Sequence, residues 1–163
     1  MSKLRVGING LGRIGRSVLR EWYLRSSEIN SPFNDIEIVA VNNPGILENY
    51  LHLLRFDSLH RKFPATINQD NNVFNMGDKS IVFFGQKEPS EIPWEDQGVD
   101  LVIDATGKFK DQNSLSGHMK GTVKKVVMCA PGKDVDATFV FGINHHLYDQ
   151  TKHHIVSNAS CTT

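Results

Sequence analysis

Cysteine is scarce: Cys129 and Cys161 are the only two in 163 residues, and they do not stand at CxxC spacing. Neither a disulfide framework nor a zinc-finger cage can be built from them, and a reducing cytoplasm is the expected setting. Long apolar runs are missing too, with none near the roughly 20 residues that cross a bilayer. The opening Met1-Ser-Lys-Leu-Arg-Val runs straight into strand-like sequence, without the apolar core of a secretory leader. Charge of one sign is also lacking, since Lys plus Arg and Asp plus Glu number 18 each. No basic stripe is available to follow a phosphodiester backbone or an anionic membrane, which argues against both as partners.

What is present is regular alternation. A length of 163 residues suits one domain with one buried core, and no internal repeat divides it, so a single domain over 1–163 is expected. Residues 3–9 place Leu4, Val6 and Ile8 at alternate positions, a strand that runs into a glycine-rich turn. Ile14, Val18 and Trp22 then recur at helical spacing until Ser26, Ser27, Asn30 and Pro32 break the pattern. "IEIVAV" at 36–41 is apolar nearly throughout, as in a buried parallel strand, and Leu47, Leu51 and Leu54 mark a second helix after Pro44-Gly45. "VFNM" and "SIVFF" flank Gly77-Asp78 and read as an antiparallel hairpin. Further strands are expected at 99–107, 124–132, 137–144 and 154–160, with a short helix around 111–121. Strands alternating with helices call for an α/β fold of the Rossmann type: a doubly wound, mostly parallel sheet with helices on both faces and a small antiparallel hairpin. In such sheets ligands sit at the carboxyl ends of the strands.

Gly10-Leu11-Gly12-Arg13-Ile14-Gly15 is GxGxxG in its required context, after a strand and opening a helix. Gly10 serves the tight turn, Gly12 the close approach of backbone to a pyrophosphate, and Gly15 the packing of helix on strand. The helix start then offers free N–H groups to the phosphates. At the end of the second strand, where an acidic residue would bind the adenosine ribose, stands Asn43. Asn43 can still hydrogen-bond a ribose but does not repel a 2′-phosphate by charge, so NAD is favoured over NADP by a smaller margin than an Asp would give.

The stretches "VGINGLGRIGR" (6–16), "VAVNN" (39–43), "LLRFDSLH" (53–60), "GVDLVIDATGKF" (98–109), "KKVVMCAPGKDVDATFVFGIN" (124–144) and "IVSNASCTT" (155–163) together resemble the glyceraldehyde-3-phosphate dehydrogenases over essentially the whole chain. The resemblance implies an NAD-binding domain of a glycolytic enzyme, with the C-terminal catalytic domain absent from this sequence. It makes Cys161 the nucleophile that forms a thiohemiacetal and then a thioester with the aldehyde, and puts Ser160 and Thr162 at the phosphate site. It puts Asn9, Gly10, Gly12, Arg13 and Ile14 at the pyrophosphate, Asn43 at the ribose, Lys87 near the adenine, Thr106 and Gly107 at a strand-end contact beside the cofactor, and Cys129 near the nicotinamide ribose. Glyceraldehyde 3-phosphate and inorganic phosphate would be the substrates of the intact enzyme. The histidine that helps ionise the nucleophile belongs to the absent domain, so this chain alone is expected to be inactive, and the family's homotetramer is not expected of it.

The related erythrose-4-phosphate dehydrogenases share the glycine turn and "SNASCTT", but Ala130 replaces the histidine of their "HPG", which ranks them second. A non-catalytic nucleotide- or RNA-binding module is the alternative of another class, and the neutral charge balance argues against its RNA form. His145-His146 and His153-His154 around Asp149 fit no i, i+4 ligand pair and read as loop residues, so no metal is expected. Trp22 and Trp94 read as packing residues.

Overall fold

The computed structural model describes residues 2–160. In chain order the elements are β1 (Leu4–Asn9), α1 (Arg13–Arg25), β2 (Ile36–Asn42), α2 (Leu47–Arg55), β3 (Phe56–Asp57), β4 (Arg61–Lys62), β5 (Ile67–Asp70), β6 (Val73–Met76), β7 (Lys79–Phe84), β8 (Leu101–Asp104), α3 (Gln112–Ser116), β9 (Lys125–Met128), β10 (Ala137–Thr138) and β11 (Ile155–Ser157). One nine-stranded sheet runs β10-β11-β9-β8-β1-β2-β7-β6-β5, and β3 and β4 form a separate antiparallel pair. Every pairing from β10 to β7 is parallel, while β5, β6 and β7 are joined antiparallel. The order β7-β2-β1-β8-β9-β11 is the 3-2-1-4-5-6 order of the dinucleotide-binding fold, and it reverses between β1 and β8. Loops leaving those two strands part in opposite directions and open a crevice above their carboxyl ends.

The two faces of β1 explain the layering. Val6 and Ile8 point to the side where Leu19 and Trp22 of α1 and Leu51 and Leu54 of α2 pack. Gly7 points to the other side, where the Trp94 ring lies so close that a Cβ would sit 2.7 Å from it. Around Trp94 gather Val102, Leu115, Val126 and Met128, so α3 and the short 3-10 turns cover the second face. Arg20 ties the first layer together: buried on α1, it donates to the Leu54 carbonyl at 2.6 Å and the His60 carbonyl at 2.9 Å, and lies 5.0 Å from the Phe63 ring centroid. Trp22, the other packing tryptophan, donates from Nε1 to the Ile36 carbonyl and anchors the end of α1 to the start of β2.

The hairpin around Gly77 forms as its alternation suggests, and β7 also pairs with β2, so it continues the main sheet rather than standing apart. β5 extends it by one strand that the sequence conceals, because "INQD" buries only Ile67. The β3–β4 turn is equally concealed; it is held by the Asp57 carboxylate, which accepts the N–H groups of Leu59 and His60 at 2.8 and 2.9 Å. The strand expected over 137–144 pairs only at Ala137–Thr138. Beyond it, Asn144 Oδ1 accepts the Val140 N–H at 2.7 Å and Gly142 takes a φ of +87°, which bends the chain into turns. The expected helix at 111–121 is the single turn Gln112–Ser116, capped by the Asp111 carboxylate on the Ser114 N–H.

One half of the first face is uncovered among the described residues. Leu101, Ile103, Val127 and Cys129 border an apolar cleft of about 320 Å³ beside α1. Phe141, Ile143 and Leu147, exposed by 89%, 72% and 62%, stand free beyond β10. The histidines of this region serve the local turns: Gly142 N–H donates to His145 Nδ1 and Asp149 N–H to His153 Nδ1. Among the described residues no helix is long and apolar enough to cross a membrane.

At the opposite end of the sheet Asp100 joins the starts of three strands. Its carboxylate accepts from Lys124 Nζ at 2.9 Å and the Arg5 N–H at 3.3 Å, and its own N–H donates to the Arg5 carbonyl. The Lys124 hydrogen bond outweighs partial burial and holds the Asp100 carboxyl below its ordinary value. A carboxylate depressed in the folded state adds stability above the unfolded pKa of about 3.9 and loses it as pH falls through the folded value. Asp100→Asn is therefore expected to lower the melting temperature at pH 7 and to flatten its decline below about pH 4. A variant whose acid limb superimposes on that of the wild type would contradict this.

Candidate functional site

The three glycines of the turn differ in what they answer to. Gly10 has a φ of +98°, and a Cβ there would lie 2.9 Å from the backbone of Ala105 and Thr106. A Cβ on Gly15 would lie 1.8 Å from the Gly10 carbonyl oxygen, so α1 reaches β1 only because Gly15 has none. Both positions are fixed by the chain's own packing. Gly12 is not: its φ is −65° and nothing lies within 4 Å of where its Cβ would be. It faces open crevice at the N-terminus of α1, where no acidic side chain occupies the first turn and the N–H groups are free for an anion.

That crevice encloses about 410 Å³. Asn9, Gly10 and Gly12 line it from the β1 turn, Asn43 and Pro44 from the end of β2, Gln86, Lys87 and Glu88 from beyond β7, and Ala105, Thr106, Lys108 and Phe109 from beyond β8. Of the residues singled out from sequence, Asn9, Gly10, Gly12, Asn43, Lys87 and Thr106 meet here. Arg13 and Ile14 sit just behind as the first residues of α1, and the Arg13 guanidinium reaches Asp57 at 3.5 Å. Gly107, with φ +65°, makes the turn between Thr106 and Lys108. Cys129 lies elsewhere, on the apolar cleft of the uncovered face. Burial, then the charge of Asp104, pushes its thiol up to about 11, so it is a protonated, unreactive group at neutral pH. Ser160 borders a separate recess with Phe139, Val156 and Ser157. Cys161 and Thr162 lie outside the described residues.

Beneath the crevice floor runs a buried hydrogen-bonded chain that the sequence pattern did not reveal. Asn42 is fixed by Gln86, whose N–H donates to Oδ1 at 2.8 Å and whose carbonyl accepts from Nδ2 at 3.0 Å. The same Nδ2 donates to Asn9 Oδ1 at 2.8 Å, and Asn9 Nδ2 donates to Asp104 Oδ2 at 2.9 Å. Thr106 donates its N–H and hydroxyl to Asp104 Oδ1 at 3.1 and 2.6 Å. His118, fully buried, completes the set: Trp94 Nε1 lies 3.1 Å from its Nδ1, and its Nε2 lies 3.1 Å from Asp104 Oδ2. An indole N–H can only donate, so His118 Nδ1 accepts and the proton sits on Nε2. The ring is neutral, and its contact with Asp104 is a hydrogen bond rather than an ion pair. The 3.4 Å approach of Asn9 Nδ2 to His118 Nε2 brings two donors onto one carboxylate oxygen and is not itself a bond. In sequence only Asp104, one carboxylate inside an apolar strand, hinted at the network; His118 sits in a polar loop stretch without periodicity.

Removing His118 would orphan the Trp94 N–H and take one donor from a buried carboxylate. His118→Ala is expected to cost about 2–4 kcal/mol, from the unpaired polar groups and the cavity together. Urea unfolding measures it, and a loss below about 1 kcal/mol would show that the network does not carry this load.

Residues 4–112 match the model of the glyceraldehyde 3-phosphate dehydrogenase NAD binding domain. The chain is 43% identical over 161 residues to the plasmid glyceraldehyde-3-phosphate dehydrogenase of Cupriavidus necator, covering 98% of this chain and 46% of that protein. It is 43% identical over 160 residues to glyceraldehyde-3-phosphate dehydrogenase 1 of Streptomyces arenae, with 98% and 46% covered, and 38% identical over 159 residues to glyceraldehyde-3-phosphate dehydrogenase 1 of Bacillus cereus, with 98% and 45% covered. The chain thus spans about half the length of these curated relatives. With the strand order, the glycine turn and the crevice in agreement, the chain belongs to the glyceraldehyde 3-phosphate dehydrogenase family and carries its NAD-binding domain.

Proposed function

We propose that this chain is the cofactor-binding half of a phosphorylating glyceraldehyde-3-phosphate dehydrogenase of the cytoplasm, and that the open space at Gly12 is where the pyrophosphate of NAD comes to rest. The observation that carries the reading is that Gly12 alone in the turn has no neighbour to demand a glycine. The N–H groups at the start of α1 meet the phosphates, Thr106 and Asn9 wall the crevice beside them, and Asn43 and Lys87 hold the adenosine side. When bound, NAD supplies the hydride acceptor.

In the intact enzyme the Cys161 thiolate adds to the carbonyl carbon of glyceraldehyde 3-phosphate, and the thiohemiacetal gives up its hydride and its hydroxyl proton to become a thioester. An oxygen of inorganic phosphate then attacks the thioester carbon, the C–S bond breaks, and acyl phosphate leaves as the thiolate is restored. Ser160 and Thr162 contribute to the phosphate site. The names of the relatives favour this aldehyde over erythrose 4-phosphate. A free thiol has a pKa of about 8.5, and the histidine that would help to ionise Cys161 belongs to the part of the family enzyme that this chain does not span. The described residues hold the cofactor, and turnover and the tetramer of the intact enzyme draw on that further part as well.

Calorimetric titration tests the reading. The chain is expected to bind NAD saturably, and Gly12→Ala, which meets no atom of the protein, to keep its melting temperature while weakening NAD by about tenfold or more. Unchanged affinity in that variant would remove the pyrophosphate from this turn.

A further inference from the structure

We infer that Tyr50, through Asn43, determines which way the cofactor site discriminates between a ribose 2′-hydroxyl and a 2′-phosphate. The inference rests on the NAD reading of the crevice and concerns the one position of the site where the expected carboxylate is missing.

Asn43 is held from three directions. Its Oδ1 accepts the Leu11 N–H at 2.8 Å, and its Nδ2 donates to the Pro44 carbonyl at 3.1 Å and to Tyr50 Oη at 2.5 Å. A backbone N–H can only donate and a carbonyl can only accept, so the orientation of the amide follows from its partners. Tyr50 gives its own proton to the Pro44 carbonyl at 2.6 Å and so turns a lone pair to Asn43. The glycine at 45 makes room for this: its φ is +124°, and a Cβ there would stand 2.8 Å from Tyr50 Oη.

Both hydrogens of the Asn43 amide are thereby spent inside the protein, and only the second lone pair of Oδ1 remains for a ligand. A lone pair suits a ribose hydroxyl, which can donate to it, and mismatches a phosphate, which can only accept. Held in this way, the neutral amide presents the same acceptor that a carboxylate would, without its charge. Lys87 lines the same crevice, a cation that would draw a 2′-phosphate if Asn43 could turn an N–H towards it. Tyr50 is a positioning residue that prevents that turn by occupying the donor face.

The test is titration of the whole chain with NAD and with NADP, in the wild type, Tyr50→Phe, Asn43→Asp and the double variant. The wild type is expected to prefer NAD. Tyr50→Phe should reduce the ratio of NAD to NADP affinity by about five- to tenfold, the effect of one hydrogen bond, with the melting temperature close to that of the wild type. In the Asn43→Asp background the same change should alter the ratio by less than about twofold, because a carboxylate has no donor face to expose. A Tyr50→Phe variant that weakens both cofactors in proportion would overturn the inference and leave the cofactor reading standing. Failure of the wild type to bind NAD would overturn the cofactor reading itself, and this inference with it.

Discussion

The buried hydrogen-bonded chain from Asn42 through Asn9 to Asp104 and His118 is the constraint on which the upper end of this sheet depends. Three neighbouring parallel strands must end at the same height for a crevice to form between their loops, yet parallel pairing alone does not fix where each strand stops. A side-chain amide at the end of β2, another at the end of β1 and a carboxylate at the end of β8 lock the three together in one layer. Each is at most 2% exposed, so a shift of register by one residue would strand all of them without partners. The layer then reaches outward: Asp104 fixes Thr106 on the crevice wall, and Asn42 fixes Gln86 beside Lys87.

Two kinds of site residue follow from this arrangement. Gly15, Asn42, Asp104 and His118 shape the protein's own backbone and do not line the crevice. Gly12, Asn43, Lys87 and Thr106 stand on that platform and line the crevice. The uncovered apolar half of the first face is a separate matter. It lies over β8 and β9, away from the crevice, in a chain that spans about half of its relatives.

The parts of the fold that could be read from sequence are those where one periodicity holds for several residues. β1 carries clean alternation, α1 and α2 helical spacing and β2 a nearly unbroken apolar run, and the glycine turn has a fixed spacing because backbone geometry dictates it. Strand ends could not be read, because apolar residues continue past the last ladder bond: "ATFVFGIN" is apolar enough for eight residues of strand, yet an Asn144 side chain and a positive-φ Gly142 stop it after Thr138. The short strands β3, β4 and β5 escaped because they bury almost nothing. In the site, residues that line the crevice in a known pattern were legible, whereas His118 and Trp94 act through contacts between distant parts of the chain, and Tyr50 through a turn whose geometry no periodicity encodes. Cys129, which the resemblance alone suggested for the cofactor, borders the apolar cleft.

The most direct test of a preset crevice is amide and imidazole nuclear magnetic resonance of the isotopically labelled chain as NAD is added. The account predicts that the large shifts fall on Gly10, Gly12, Asn43, Lys87 and Thr106, and that His118 keeps its proton on Nε2 throughout. Shifts centred on Val127, Phe139 and Val156, or a change in the His118 tautomer on binding, would contradict it.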